Sequence, residues 1–282
     1  MKLSVILLLY RSRPFIENCL TTLLPALDAA GPRAESEIVL IDQGSGDGAA
    51  QWAQEFLRRE KITCQLVAPG KNLGVAGGRN AGARAASGDW LIFLDTDTEC
   101  RQPGVFKELL TAAATHPKAA ILAPRLVTGD GSQLQKSARH FPRPLDLAAN
   151  RLTRMGLPGF AARARRYHLD DFDFNSPRPV PWIAGACQLM KRAVFLELGG
   201  FDEYFFYGLE ETDHCLNAWR AGHEVWFIPA GPLYHATQRL SSKSLRFLWL
   251  HTRSALRYFR KNRGALAAAE ANYQAALKRH GS

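Results

Sequence analysis

The chain has 282 residues, of which 46% are hydrophobic and 22% are charged, and its 36 lysines and arginines exceed its 26 acidic residues by ten. This composition is typical of a globular protein with a sizeable core, and it excludes an acidic disordered protein, a collagen and a repeat array. The positive excess favours an anionic partner and leaves nucleic acid, a membrane surface and phosphorylated ligands as candidates.

The apolar run at the start of the chain, Leu3–Leu9, is too short for a signal peptide, and no small-residue cleavage site follows it. We expect a buried first strand there. The sequence contains no run of about 18 apolar residues, so no transmembrane helix is predicted. The five cysteines include no Cys-x-x-Cys pair, so a reducing, cytoplasmic environment is expected rather than a disulfide framework or structural zinc.

The first 125 residues alternate between short apolar runs and longer segments of helical periodicity. The apolar runs lie at Leu3–Leu9, 37–41, Thr63–Val67, Trp90–Leu94 and 120–123, and the helical segments at about 14–30, 48–60, 76–87 and 103–115. Runs that are apolar throughout indicate strands of a parallel sheet with helices on both faces. In such sheets ligands bind beyond the carboxyl ends of the strands, which is where chemistry is expected.

The second half of the chain begins with a different kind of segment. Residues 139–181 are rich in proline and arginine, and we expect a long loop or a partly helical insertion beside the site. Regular periodicity returns at 182–190. Helices are then predicted at about 192–198 and 210–221, a strand at 224–228, and an amphipathic stretch at 243–262.

Two carboxylates follow the fourth predicted strand, at Asp95 and Asp97. Aspartates spaced i and i+2 at a strand end can converge on a hard divalent cation, which prefers oxygen ligands. They can equally be solvated turn residues. His235, just after the last predicted strand, is either a third ligand or an ordinary surface or core histidine.

Glycine-rich segments follow the second and third predicted strands. Asp42 ends the second strand, where it could accept hydrogen bonds from a base or a sugar, and Gly44 permits a tight turn before the next helix. The segment 70–82 holds five glycines, with Lys71 and Arg79 available for phosphate. It is not a Walker A loop, and no Gly-x-Gly-x-x-Gly follows the first strand, which disfavours a dinucleotide site.

An acidic cluster begins the helix predicted at 210–221 and contains Glu210, Glu211 and Asp213. Acids at a helix start are ordinarily capping residues and partners of the helix dipole. A carboxylate opposite a metal–phosphate centre could instead act as a general base toward a hydroxyl.

Taken in order, these segments resemble the inverting family 2 glycosyltransferases of GT-A fold, especially their rhamnosyltransferase-like and galactofuranosyltransferase-like branch. The resemblance covers about residues 1–240. It is carried by Ser4-Val5-Ile6, 37–48, Asn72-Leu73-Gly74 through Asn80, Phe93-Leu94-Asp95-Thr96-Asp97, 182–186, Gly199-Gly200-Phe201-Asp202, Glu210-Glu211-Thr212-Asp213 and 229–235.

The resemblance implies a fold and an organisation. The fold is α/β, with a Rossmann-like, mostly parallel central sheet covered by helices on both faces and a C-terminal amphipathic helical extension. Residues 1–240 would form the GT-A domain, with a nucleotide-binding half at 1–125 and an acceptor-binding half at 126–240 that contains the insertion 139–181. Residues 241–282 would form the extension.

The resemblance also implies site residues. Asp97, with Asp95 and His235, would hold Mg²⁺ or Mn²⁺. Glu211 would be the catalytic base, with Glu210 and Asp213 beside it, although the family commonly has Glu-Asp where this chain has Glu-Glu. Trp182 and Gly185 would contact the donor or acceptor sugar. The nucleotide-sugar contacts would come from Leu9, Tyr10, Asp42, Gly44, Lys71, Asn72, Gly74, Gly78, Arg79, Asp95, Thr96 and Asp97.

The implied activity is metal-dependent, inverting transfer of a hexosyl or deoxyhexosyl group from a UDP- or dTDP-sugar to a hydroxyl of a glycan or lipid-linked saccharide, in cell-surface polysaccharide synthesis. A GT-A domain that binds nucleotide sugars without transferring them, and a nucleotidylyltransferase, are the alternatives. The latter would be expected to have a glycine-rich loop after its first strand, where this chain has Tyr10-Arg11-Ser12-Arg13. No RNA-recognition, zinc-finger or basic-zipper motif supports a nucleic-acid partner.

The positive charge is concentrated in two segments. Residues 239–263 hold eight lysines and arginines and no acid, and residues 136–166 hold eight and one acid. The rest of the chain is therefore mildly acidic, which favours an anionic acceptor or membrane surface over nucleic acid. The stretch 243–262 is expected either to pack on the core with a solvated basic face or to lie on the inner face of the cytoplasmic membrane. The sequence leaves the oligomeric state open.

Overall fold

The computed structural model describes residues 2–157, 159–236 and 245–281. Its strands are β1 (Leu3–Leu9), β2 (Ser36–Asp42), β3 (Thr63–Val67), β4 (Trp90–Leu94), β5 (Thr98–Glu99), β6 (Ala119–Ala123), β7 (Leu126–Thr128), β8 (Leu134–Gln135), β9 (Ala138–Arg139), β10 (Arg178–Pro179), β11 (Trp182–Ile183), β12 (Cys187–Lys191), β13 (Glu224–Phe227) and β14 (Leu233–His235). Its helices are α1 (Ile16–Ala30), α2 (Ala49–Arg59), α3 (Gly74–Ala85), α4 (Val105–Thr115), α5 (Pro144–Arg154), α6 (Ala161–Tyr167), α7 (Arg192–Glu197), α8 (Glu210–Arg220), α9 (Leu245–Lys261) and α10 (Leu266–His280).

The central sheet has eight strands in the order β10-β13-β6-β12-β4-β1-β2-β3. Strand β1 lies parallel to β2 and β4, β2 is parallel to β3, and β13 is parallel to β6. The predicted mostly parallel α/β sheet is therefore confirmed. Strand β12 runs antiparallel between β4 and β6, and β10 is antiparallel to β13.

Helices cover both faces of this sheet, as predicted. The side chains of a strand therefore alternate between two cores, one on each face. Val5 and Leu7 of β1 pack in the core that contains residues of α1, α2 and α4. Ile6 of the same strand packs in the core shared with α3, α8 and α10. Strand residues apolar on both faces thus belong to a sheet buried on both sides.

A second, four-stranded sheet in the order β5-β14-β7-β8 lies beyond the end of β4. Its pairing sets His235 opposite Thr98, and the amide of Ala236 donates to the carbonyl of Asp97 over 2.9 Å. This sheet brings the last strand back to the segment that follows β4.

The predicted elements of the first half agree closely with the structure, and the second half holds the differences. The segment 139–181, expected to be a long loop or a partly helical insertion, contains helices α5 and α6, so its partly helical form is confirmed. The amphipathic stretch at 243–262 is a helix in its described part, and the predicted helical extension contains a further helix, Leu266–His280, whose bounds were not predicted. The proposed boundary at residue 240 lies outside the described residues, so the domain division stays a prediction.

The C-terminal helices pack on α8 and on the loop before it. Ser254 donates a hydrogen bond to the carbonyl of Tyr207 over 3.0 Å, and Asn272 donates one to the carbonyl of Trp219 over 2.8 Å. The rings of Trp219 and Tyr273 meet edge to face. In the described ranges, every helix is too short or too polar to cross a bilayer.

Candidate active site

A cavity of about 510 Å³ lies at the carboxyl ends of β1 and β4 and is closed on its far side by the start of α8 and by α9. Most of the residues predicted from the sequence meet there. The predicted site residues in its wall are Tyr10, Asn72, Gly74, Arg79, Asp95, Thr96, Asp97, Trp182, Gly185, Glu210, Glu211 and His235.

Asp95, Asp97 and His235 form a candidate metal centre in this wall. Each offers a ligand atom, and these atoms all lie within 4.8 Å of one another. Nε2 of His235 is 3.4 Å from a carboxylate oxygen of Asp97. Two carboxylates and an imidazole form a donor set that suits a divalent cation such as Mn²⁺ or Mg²⁺.

Gln135 of β8 orients the histidine ring. Its side-chain oxygen is 2.9 Å from Nδ1 of His235, and its side-chain nitrogen donates to the His235 carbonyl over 2.7 Å. Because a carbonyl oxygen only accepts, Nδ1 carries the proton in this contact, and Nε2 is the ring nitrogen that faces Asp97. A hydrogen bond on the other ring nitrogen is a usual feature of metal-binding histidines, so the residues present fit a metal.

Arg79 of α3 connects the glycine-rich segment to the acidic cluster. Its Nη2 donates to Asp95 over 2.9 Å and to the carbonyl of Gly185 over 2.7 Å. Burial raises the pKa of Asp95, and the neighbouring Asp97 adds to the rise while the guanidinium opposes it. A Cβ on Gly185 would lie 2.6 Å from Nη1 of Arg79, so only glycine leaves room for this arginine.

The loop before α3 is held by Gln43, which the sequence analysis did not single out. Its side chain accepts from the amide of Leu73 over 2.9 Å and donates to the carbonyl of Gly74 over 2.8 Å. Asn72 accepts from the amide of Gly74. The amide of Val75 donates to the Phe206 carbonyl over 2.9 Å, which joins this loop to the segment before α8.

Glu210 and Glu211 begin α8, directly after Leu209, whose φ is +70°. Glu210 is buried, and burial followed by the charge of Glu211 raises its pKa well above the usual range. Each residue has one buried carboxylate oxygen without a hydrogen-bond partner among the described residues. Both glutamates line the cavity, so the pair brings carboxyl groups to its wall.

Trp182 lies in the wall beside the acidic helix start. Its indole donates to the carbonyl of His140 over 2.7 Å. The guanidinium of Arg139 lies 5.0 Å from its ring centre, and Tyr167 adds a further aromatic ring. These rings and the guanidinium form an aromatic and cationic part of the cavity wall.

Six predicted site residues lie outside the cavity wall: Leu9, Asp42, Gly44, Lys71, Gly78 and Asp213. Leu9 is buried in the core, Asp42 accepts from the amide of Gly44 in the turn after β2, and Lys71 is exposed. Gly78 packs against Leu8 and Gln43. For the first five of these residues, the predicted contacts with a nucleotide stay predictions.

Asp213, predicted beside the catalytic base, has hydrogen-bond partners on α9 and just after it. Its buried carboxylate accepts from Lys261 over 2.7 Å and from the side chain of Asn262 over 2.8 Å. It thus ties the C-terminal end of α9 to α8 rather than facing the cavity.

The structure adds wall residues that sequence reasoning missed, and most come from long-range packing. They include Gln43, Gln135, Arg139, Tyr167, Arg246, Phe247, Leu250 and His251. The last four belong to α9. The sequence predicts the helical periodicity of α9, but it does not show that this helix faces the cavity.

Comparison by sequence finds a family and a related protein. The model of glycosyl transferase family 2 matches residues 4–199. An N-acetylglucosaminyl-diphospho-decaprenol L-rhamnosyltransferase of Mycobacterium tuberculosis is 30% identical over 246 residues, which cover 83% of this chain and 75% of that protein.

Solved structures with the same fold are more distant in sequence. A mannosyltransferase of Pyrobaculum calidifontis, PcManGT, in complex with GDP-Man and Mn²⁺, has a TM-score of 0.61 at 20% identity, over 100% of this chain and 76% of that one. Residues 1–349 of S. aureus TarS, in complex with UDP-GlcNAc, have a TM-score of 0.60 at 18% identity. That match covers 89% of this chain but only 64% of TarS 1–349. The chain therefore belongs to glycosyl transferase family 2 and is a glycosyltransferase of GT-A fold.

Proposed function

We propose that this glycosyltransferase moves a sugar from a nucleoside-diphosphate donor to an acceptor hydroxyl with inversion, assisted by a divalent cation. One observation carries the proposal. The Asp95, Asp97 and His235 cluster and the unsatisfied carboxylate of Glu211 line one cavity. A metal centre and a candidate base thus face a shared space where two substrates could meet.

Asp95, Asp97 and His235 would hold Mg²⁺ or Mn²⁺. The ion would supply positive charge against the charge that develops on the departing diphosphate. Arg79 supports the same end of the cavity, because its Nη1 is buried without a hydrogen-bond partner among the described residues. That N–H group is available to a phosphate or sugar oxygen. The Mn²⁺ bound to PcManGT supports the assignment by fold analogy.

Glu211 would act as the general base. Its carboxylate takes the proton of the acceptor hydroxyl, and that oxygen forms a bond to the anomeric carbon as the bond to the diphosphate oxygen breaks. The electron pair leaves with the nucleoside diphosphate. Attack from the face opposite the leaving group inverts the configuration. Glu210, whose pKa burial raises well above the usual range, would keep its own proton and so would not compete for the proton of the acceptor.

The substrate class is drawn from the relatives and the cavity wall. The donor would be a UDP- or dTDP-sugar carrying a hexosyl or deoxyhexosyl group. The name of the mycobacterial relative contains a lipid diphosphate acceptor and rhamnose, so a lipid-linked saccharide is the proposed acceptor here. Trp182 and Gly185 would contact the sugars. The place of action would be the cytoplasmic side of the membrane, in cell-surface polysaccharide synthesis.

A donor-hydrolysis screen tests the proposal. The purified chain is incubated with UDP-, dTDP- and GDP-sugars, with Mn²⁺, with Mg²⁺ or with a chelator. We expect release of a nucleoside diphosphate from one donor class only when metal is present, and none from Asp97→Ala. A thermal-shift assay with Mn²⁺ and nucleoside diphosphates runs in parallel. Stabilisation without turnover by any donor or acceptor would instead identify a silent binding domain.

A further inference from the structure

Helix α9 exposes a row of large apolar side chains on the side away from the cavity. Leu245, Trp249 and Leu256 are 84%, 60% and 62% exposed. An α-helix turns by about 100° per residue, which places these three side chains within an arc of about 40°. The buried residues Ser254 and Tyr258 occupy the opposite side. Such a row, on a helix otherwise packed on the protein, is typical of an interaction surface.

Arginines border this apolar row. Helix α9 contains no acidic residue. The guanidinium of Arg253 lies 5.1 Å from the ring centre of Tyr204 and 5.8 Å from that of Trp249, and Arg257 lies 4.4 Å from Tyr204. Together they line a shallow groove of about 450 Å³. We call the outer face of α9 the surface formed by Leu245, Trp249, Arg253, Leu256, Arg257 and Arg260.

The chemistry of the outer face matches an anionic bilayer. Arginine heads meet the phosphate groups of lipids, leucine side chains enter the acyl boundary, and tryptophan and tyrosine prefer the level of the headgroups. Nucleic acid would match the arginines but would leave the apolar row uncovered. A second copy of the chain would bring like charges together, because the same three arginines would face one another.

The opposite side of α9 belongs to the catalytic cavity. Phe247, Leu250 and His251 line the cavity, and the rings of Phe247 and Tyr207 lie 4.9 Å apart. Ser254 is hydrogen-bonded to the same Tyr207. One helix, about 10 Å thick, therefore separates the outer face from the space beside Glu211.

We propose that the outer face of α9 docks on an anionic phospholipid bilayer and so presents the cavity to acceptors held in that bilayer. The docking follows from the exposure and charge of α9. The delivery of an acceptor rests in addition on the proposed function.

Vesicle co-sedimentation of the full chain tests the docking. We expect binding to vesicles that contain phosphatidylglycerol, weak binding to pure phosphatidylcholine, and a decline with rising salt. The variant Leu245→Ser/Trp249→Ser/Leu256→Ser should bind vesicles at least about tenfold more weakly, because the burial of its apolar area in the bilayer is lost. The matched control Leu66→Ser/Met155→Ser/Leu196→Ser changes three other exposed apolar residues and should bind as the unaltered chain does.

Several results would overturn the docking. One is equal binding to phosphatidylglycerol and phosphatidylcholine vesicles, and another is an equal loss of vesicle binding in the control variant. A third is that the outer face of α9 mediates dimerisation or RNA binding, and that this competes with vesicles. Turnover separates the two proposals. The outer-face variant should use a water-soluble acceptor at the normal rate and a vesicle-bound acceptor more slowly. If the unaltered chain uses neither acceptor, the proposed function fails while vesicle binding still decides the docking.

Discussion

At the scale of single residues, the glutamate pair at the start of α8 holds the proposed general base. Glu210 is buried and has a raised pKa, whereas Glu211 lines the cavity with one unsatisfied carboxylate oxygen. Two adjacent carboxyl groups in a poorly solvated place cannot both ionise easily. Burial therefore favours the protonated form of Glu210, and Glu211 remains as the candidate acceptor of a proton.

The first prediction separates these two roles. Glu211→Gln should lower the rate of transfer by about 10²- to 10⁴-fold, the usual contribution of a general base. Its fold should stay intact, because the amide has nearly the same size and shape as the carboxylate that it replaces. Turnover with saturating donor and urea unfolding provide the measurements.

Glu210→Gln is the matched control for this prediction. It also removes one carboxyl group from the pair but keeps Glu211, so transfer should persist at a rate much nearer to normal. Near-normal turnover by Glu211→Gln, together with loss of turnover in Glu210→Gln, would move the base assignment to the buried residue.

At the scale of elements, the loop before α3 depends on a close backbone approach. Gly74 has a φ of +74°, and a Cβ there would overlap the carbonyl oxygen of Phe206. Gly44 has nearly the same φ, +73°, but nothing lies within 4 Å of the place where its Cβ would be. The two glycines therefore share the conformational requirement and differ in the space around them.

The second prediction uses that difference. Gly44→Ala should lower the free energy of unfolding by about 1 kcal/mol, the cost of a left-handed conformation for alanine. Gly74→Ala should cost about 1–3 kcal/mol more, because the Phe206 backbone must move. It should also raise the KM for the donor, since Asn72 and Gly74 lie in the cavity wall. Equal losses of stability in urea unfolding would show that the close approach is unimportant.

Helices α8 and α9 are joined by a buried ion pair. Asp213 is almost fully buried, and Lys261 reaches it from the last turn of α9. A buried charge that loses its partner is strongly destabilising. The pair thus joins the two helices that form part of the cavity wall.

The third prediction follows from this pair. Lys261→Met should lower the free energy of unfolding by about 3 kcal/mol, the lower end for breaking a buried pair, because Asn262 still donates to Asp213. Asp213→Asn should also destabilise the chain, and the double variant should lose less than the sum. At a temperature where it is folded, Asp213→Asn should retain transfer. Loss of transfer in a fully folded Asp213→Asn would restore the catalytic role expected from the sequence.

At the scale of the whole molecule, buried histidines make stability depend on pH. Burial lowers the pKa values of His116, His140, His214 and His251. His214, which packs against the rings of Phe195 and Phe201, shows the largest effect, with its pKa lowered from 6.5 to about 4. The unfolded chain binds a proton at this position near pH 6.5, whereas the folded chain resists it down to about pH 4.

The fourth prediction is that His214 makes the free energy of unfolding decrease as the pH drops below about 6.5. At this position the unfolded state takes up a proton first, and the effect reaches about 3 kcal/mol by pH 4. The raised pKa of Glu210 acts in the opposite direction, because there the folded state takes up the proton first. Urea unfolding between pH 7.5 and pH 5 measures the slope of the free energy of unfolding against pH. His214→Gln should make that slope less positive, whatever its effect on stability at neutral pH. An unchanged slope would contradict the role of His214.

The sequence by itself determined the first half of the fold and the kinds of residue in the site. Strands Leu3–Leu9, Thr63–Val67 and Trp90–Leu94 were predicted to the residue, because a buried strand is a local pattern of apolar side chains between turn residues. The acids after β4 and at the start of α8 could be found in the same way. Local periodicity and turn chemistry carry such information, since they depend on neighbours along the chain.

Only the tertiary structure decided which of these residues meet. His235 lies beside Asp97 because β14 pairs with β5, a contact across about 140 residues that no local pattern specifies. Likewise, β12 enters the sheet antiparallel, and α9 presents one face to the cavity and Lys261 to Asp213. Such contacts are set by the packing of whole elements, whose energies depend on partners distant in the sequence, and they turn a set of candidate residues into one site.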